Sequence, residues 1–213
     1  MTLKWLEALV ARAFDRFGLS LSRKPRFELV ERGQEFASLV KVIGKHSVID
    51  EQCLLILWQF ANSALALEGD IAEMGVYKGG SAKLLAKAFG NDTKKTVFLF
   101  DTFSGMPAPD PTRDLNREGD FSDTSLESVK DFLKDCSNVV LYKGLFSETM
   151  GNVVGKTFCF VHIDCDIYQS VRESCEFLYP RMARGGYMIF DDYVLIPGVK
   201  RAVDEFFSDK IER

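Results

Sequence analysis

EMGVYKGGS, residues 73–81, ends an apolar run that starts at Asp70 and opens a helical pattern that follows. Gly75 terminates the strand-like part, and Gly79 with Gly80 begins the helix. Glycine lets backbone pass close to a ligand and take positive φ at little cost. The helix start then offers unpaired N–H groups to polar ligand atoms. This is a strand–turn–helix unit built to approach something nucleotide-like. It is not the GxGxxG dinucleotide fingerprint, because Tyr77 stands where the second glycine belongs. A pyrophosphate ligand, which needs close backbone approach at that point, is therefore disfavoured. Glu73 is a carboxylate on the strand beside the turn; it caps a neighbouring loop or meets a cationic ligand group, and the second reading explains it better.

Outward from this unit the same rhythm repeats. DIAEMGV, TVFLFDTF, NVVLYKG, TFCFVHID and GYMIFDDY are short, apolar and rich in Val, Ile and Phe, as parallel strands covered on both faces are. Helical patterns lie between and after them, at about 80–90, 124–136, 168–182 and 198–209. Alternation of this kind predicts an α/β sandwich with right-handed crossovers. Ligands of such sheets bind outside the carboxyl ends of the strands. Residues 104–123 carry three prolines and several charges, which predicts an irregular loop; leaving the same sheet edge, it reads as a lid.

The acids concentrate at that edge. Asp101 ends the second strand pattern, one strand–helix–strand unit after Gly75, where it can accept from both hydroxyls of a ribose. Asp164 and Asp166 end the fourth pattern, and Asp191 and Asp192 the fifth. If those strands are neighbours, at least three carboxylates converge, and unpaired they would raise one another's pKa. A divalent cation resolves the repulsion, and all-oxygen ligands favour Mg²⁺, Mn²⁺ or Ca²⁺. The competing reading makes Asp166 and Asp192 caps of the helices that follow. His162, two residues inside its strand, reads as a hydrogen-bonded core histidine rather than a base.

A chain of 213 residues fits one domain with a substantial core, and a net charge of −4 implies no nucleic-acid surface. Apolar runs long enough to cross a bilayer and a signal-peptide pattern are both missing, and the cysteines, five without a CxxC pair, suit reduced thiols. A cytoplasmic protein is expected. Residues 1–66 read as a helical region. Leu3, Leu6, Leu9, Val10, Ala13, Phe14 and Phe17 form an apolar stripe opposite Arg12 and Arg16. That stripe packs on its own domain or a second copy, making a homodimer the expected assembly and a membrane role the lesser reading. Residues 67–213 hold the sheet.

EMGVYKGGS, FDTFSGMP, GDFSDTSLESV, HIDCDIYQS, LYPRMARGGYMIFDDY and GVKRAVDEFF occur in that order, and together they carry a resemblance. The chain resembles the macrocin O-methyltransferase family of class I, S-adenosylmethionine-dependent methyltransferases, which act on sugar hydroxyls of antibiotics. The resemblance implies a Rossmann-like sheet closed by an antiparallel hairpin, with metal ligands at Asp164, Asp191 and Asp192. It makes Asp164 the general base as well. It implies cofactor contacts at Glu73, Gly75, Tyr77, Ser81 and Asp101, extending to Gly144 and Ser147 near the adenine. The small-molecule substrate it implies is a hydroxyl on a sugar or other vicinal diol. Because this chain stops at Arg213, the closing hairpin is expected to be truncated. A non-catalytic remnant that binds cofactor or dimerises is the alternative reading, and a metal-dependent phosphohydrolase a more distant one.

Overall fold

The computed structural model describes residues 26–90 and 94–211, with side chains from Gly33 onward. The apolar stripe at residues 3–17 lies outside the described residues. The chain divides into two compact units, residues 1–39 and 40–213. A helix, α1 (Arg26–Ile43), runs across that division, and the sheet and the site belong to the second unit.

After the end of α1 and a 3-10 turn at Gly44–His46 comes α2 (Glu51–Ser63), whose N-cap Asp50 accepts hydrogen bonds from the Gln52 and Cys53 N–H groups. Such a cap satisfies two donors that the first helical turn leaves without partners. There follow β1 (Asp70–Met74), α3 (Gly80–Phe89), β2 (Val97–Asp101), α4 (Leu126–Phe132) and β3 (Val139–Lys143). The short α5 (Phe146–Thr149) leads to β4 (Phe158–Ile163), α6 (Tyr168–Leu178), β5 (Met182–Phe190) and α7 (Pro197–Phe207). All five strand patterns of the sequence become strands, and α5 is the element whose four residues gave no periodicity to read. Among the described residues, no strand follows Phe190.

The sheet order is β3-β2-β1-β4-β5 with every pair parallel. The chain therefore moves outward in one direction from β1 and then restarts beside β1 with β4. That reversal is the topological switch point, where the loops after two neighbouring strands diverge and leave a crevice. Here they are the glycine turn after β1 and the DCD loop after β4. One face of the sheet (Ala72, Met74, Phe98, Phe100, Val161 and Ile163) packs against residues of α5, α6 and α7 in a single buried cluster. On the other face Phe160 meets Phe89 of α3, and Tyr187 meets Phe60 of α2. Both faces are covered, so the central strands are apolar on both sides, as the sequence required.

Candidate active site

The switch point is fixed by backbone. Past the strand ends the ladder continues: Asp164 N–H donates to the Met74 carbonyl at 2.8 Å and Asp191 N–H to the Ile163 carbonyl at 2.9 Å. These bonds bring the two turns together so tightly that a Cβ on Gly75 would lie 1.8 Å from the Asp164 carbonyl oxygen. Gly75 also sits at φ +86°, so both its space and its conformation demand glycine.

Tyr77 takes φ +50°, a left-handed conformation in the place where the dinucleotide fingerprint has glycine. Its surroundings hold it there. The Asp101 carboxylate accepts from Val76 N–H (2.7 Å) and Tyr77 N–H (2.9 Å) with one oxygen, and from Phe103 N–H (2.6 Å) with the other. The Tyr77 hydroxyl donates to Asp123 at 2.8 Å, and its carbonyl accepts from the Thr124 hydroxyl. Asp101 thus ties the glycine turn to the end of β2. A carboxylate offers about four lone-pair positions, so three backbone donors leave it room for one ligand hydroxyl.

A cleft opens beside this turn. Of the residues the sequence nominated, Gly75, Tyr77, Asp101, Gly144 and Asp164 line it, and Asp166 does so too. Ser81 is buried in the first turn of α3, and Ser147 is exposed on α5, neither on the cleft wall. Glu73 is fully buried. One of its oxygens lies 2.9 Å from Nδ1 of His162, its registered neighbour on β4, and the other has no hydrogen-bond partner. The core-histidine reading of His162 is met: it is 1% exposed and its ring is held by Glu73.

The 104–123 segment has no helix or strand, as its prolines suggest, but it is pinned. Met106 N–H donates to the Asp120 carbonyl and Gly119 N–H to the Met106 carbonyl, closing its base. Gly105, Met106, Pro107 and Phe121 form one wall of the cleft, and Phe121 packs edge-on against Tyr77 with ring centroids 5.4 Å apart. Asp123 and Asp114 in this segment carry no signal in the sequence, because Asp123 meets Tyr77 and Lys78 and Asp114 meets the Tyr168 N–H, all far away in the chain.

On the other side of the switch point Asp164, Asp166 and Asp192 each place a carboxylate oxygen within 4.8 Å of the others. Asp166 (φ +58°) and Asp192 (φ +53°) both adopt left-handed backbone, a strain that marks functional turns and that Asp tolerates better than most side chains. Neither caps a helix: α6 and α7 have Ile167 and Ile196 at their N-caps, with no side-chain cap bond. Asp191 stands next to the group but is not of it. Among the described residues no Lys or Arg forms an ion pair with any of the four acids. Burial, with Asp191 next in importance, pushes the Asp164 carboxyl well above the usual range. Burial and then Asp192 and Asp191 bring Asp166 up to about 7, and burial raises Asp191 as well.

These shifts fix the sign of a pH effect. Asp166 moves from 3.8 to about 7, so the folded chain keeps a proton that the unfolded chain has lost. Stability without cation should fall as pH rises from about 4 to about 7 on this account. Thermal unfolding in chelator checks it: wild type minus Asp166→Asn should become more negative from about pH 4 to about pH 7 and level off above that. A flat difference would show that Asp166 ionises freely.

An open parallel sheet of order 3-2-1-4-5, with a glycine turn after β1 and an acid ending β2, is the class I methyltransferase fold. The solved structure of the O-methyltransferase NovP superposes on it with a TM-score of 0.70, at 28% sequence identity over 79% of this chain and 76% of that one. The pattern of the family described as Macrocin-O-methyltransferase (TylF) matches residues 44–212, and the chain belongs to that family. Demethyldecarbamoylnovobiocin O-methyltransferase of Streptomyces niveus is 32% identical, over 65% of this chain and 58% of the relative. Mycinamicin III 3''-O-methyltransferase of Micromonospora griseorubida is 29% identical, over 84% and 75%. This chain thus spans a little over half the length of the first of these relatives.

Proposed function

We propose that this chain is an S-adenosylmethionine- and divalent-cation-dependent O-methyltransferase whose acceptor is a hydroxyl of a sugar or other vicinal diol on a small molecule. One observation carries the reading: Asp164 is both a wall of the cleft beside the glycine turn and a member of the three-carboxylate group. A donor site and a cation site therefore share an edge.

Gly75, Tyr77, Asp101 and Gly144 would hold the donor. The buried, unpartnered oxygen of Glu73 fits an ammonium group at the amino-acid end of such a ligand. Bound there, S-adenosylmethionine supplies a methyl group on a sulfonium. Asp164, Asp166 and Asp192 fit a hard cation, since all three donors are carboxylate oxygens and none has a cationic side chain beside it. When bound, the cation supplies positive charge that makes an acceptor hydroxyl more acidic.

The rest is work for the chain's own residues. Asp164 takes the hydroxyl proton, from a position at the boundary of the two sites. The Asp101-tied turn holds the donor rigidly, so that alignment is paid for before reaction; good alignment alone is worth several kcal/mol, roughly 7–11 at best. Phe121, Met106 and Pro107 close the cleft against water, which would otherwise compete as acceptor. Ser81, Ser147 and Asp191 keep their family-implied roles as cofactor and metal contacts only as proposals, and the same holds for a homodimer and a cytoplasmic setting.

Isothermal titration with S-adenosylhomocysteine, with and without Mg²⁺, followed by methyl-transfer assays on diol-bearing acceptors with and without chelator, tests the reading. Cofactor binding that survives chelator, and turnover that does not, is the expected pair of results. Undiminished turnover in chelator would remove the cation from the reaction, and absence of cofactor binding would remove the methyltransferase reading itself.

A further inference from the structure

Asp114 is a buried carboxylate, 8% exposed, in the middle of a loop whose other residues are exposed or half-buried. One of its oxygens accepts the N–H of Tyr168, the first residue of α6, at 2.8 Å. The other accepts the N–H of Asp110 at 2.9 Å, which folds the loop back on itself. The first oxygen also presses on α7: a Cβ at Gly198 would sit 2.3 Å from it. Asp114 therefore touches the starts of both helices that follow the acid turns. Tyr168 is two residues after Asp166, and Pro197–Gly198 lies just beyond the turn that carries Asp192.

The physical consequence is specific. α6 and α7 have no side-chain N-caps of their own, so the helix start after Asp166 is satisfied from a distance. A carboxylate at a helix N-terminus is also favoured by the helix dipole. Asp166 and Asp192 hold left-handed backbone that must be maintained by what surrounds it. We infer that Asp114 is the positioning residue of the cation site: it clamps the first turns of α6 and α7 and so fixes the spacing of Asp166 and Asp192. Because it belongs to the 104–123 loop, seating of that loop and assembly of the cation site are one event. This role rests on the cation reading above and adds to it a residue that touches neither cation nor donor.

The test compares Mn²⁺ affinity with S-adenosylhomocysteine affinity, each titrated alone. Asp114→Ala should weaken Mn²⁺ binding about 10-fold or more, the size of effect seen when a group supporting a metal ligand is lost, with cofactor affinity within about 2-fold of wild type. Asp114→Asn keeps an oxygen for Tyr168 N–H and should recover most of the Mn²⁺ affinity. Gly198→Ala, on a different element, should reproduce the Asp114→Ala pattern by displacing the carboxylate. Wild-type protein bound to Mn²⁺ should also resist proteolytic cutting within 104–123 more than cation-free protein, and Asp114→Ala should not. Retained cofactor affinity shows that a variant is folded. Parallel losses of both affinities, or unchanged Mn²⁺ binding in Asp114→Ala, would overturn the role. A wild type that binds no Mn²⁺ would instead sink the cation reading, and this role with it.

Discussion

Gly75→Ala should be the most damaging single-methyl change in this chain, lowering the unfolding temperature by about 10 °C or more and removing detectable S-adenosylhomocysteine binding. Two independent costs add. A φ of +86° is strained for any residue with a Cβ, at roughly 1–2 kcal/mol. The new methyl would also stand 1.8 Å from the Asp164 carbonyl oxygen and 2.7 Å from its carbon. Both are backbone atoms, so no rotamer change relieves the overlap. The Asp164 N–H bond to the Met74 carbonyl must stretch or break, and with it the junction of β1 and β4 at the switch point. A total near 3–5 kcal/mol follows, at roughly 2–4 °C per kcal/mol for a chain of this size. Calorimetry and differential scanning fluorimetry read both effects. An alanine variant that melts within 2–3 °C of wild type and still binds cofactor would show that the two turns are not packed as described.

The second large effect belongs to the acids. Asp192→Asn should weaken Mn²⁺ or Mg²⁺ binding by roughly 100-fold, since loss of a direct ligand should cost at least as much as loss of a supporting group. Asp192 is common to the ligand set implied by resemblance (Asp164, Asp191, Asp192) and to the set the geometry brings together (Asp164, Asp166, Asp192). Asp166→Asn and Asp191→Asn distinguish the two. A strong loss in Asp166→Asn with a smaller loss in Asp191→Asn is the result expected from the Asp164, Asp166 and Asp192 group. The reverse would return Asp191 to the cation and leave Asp166 a bystander.

How legible the molecule was varies from element to element. DIAEMGV and TFCFVHID read as buried parallel strands because their residues are apolar on both faces, and β1 and β4 are packed on both faces. The irregular 104–123 segment announced itself through its prolines. The capping reading of Asp166 fails for a reason no spacing could reveal: the α6 N-terminus receives its acceptor from Asp114, 54 residues upstream. Asp101 was legible as a site acid, yet its three backbone donors were not, since Val76 and Tyr77 look from the sequence like ligand-facing loop.

By itself the sequence determined the elements, their parallel character and the sheet edge where chemistry collects, because hydrophobic periodicity and glycine are local properties that local residues enforce. Tertiary structure alone decided which acids meet. Asp191 and Asp192 are neighbours in the chain, yet it is the Asp192 carboxylate that joins those of Asp164 and Asp166, and Asp166 and Asp192 both do so from left-handed backbone. A reversal of direction at one residue is set by what packs around it, here helices and a loop far away in the chain.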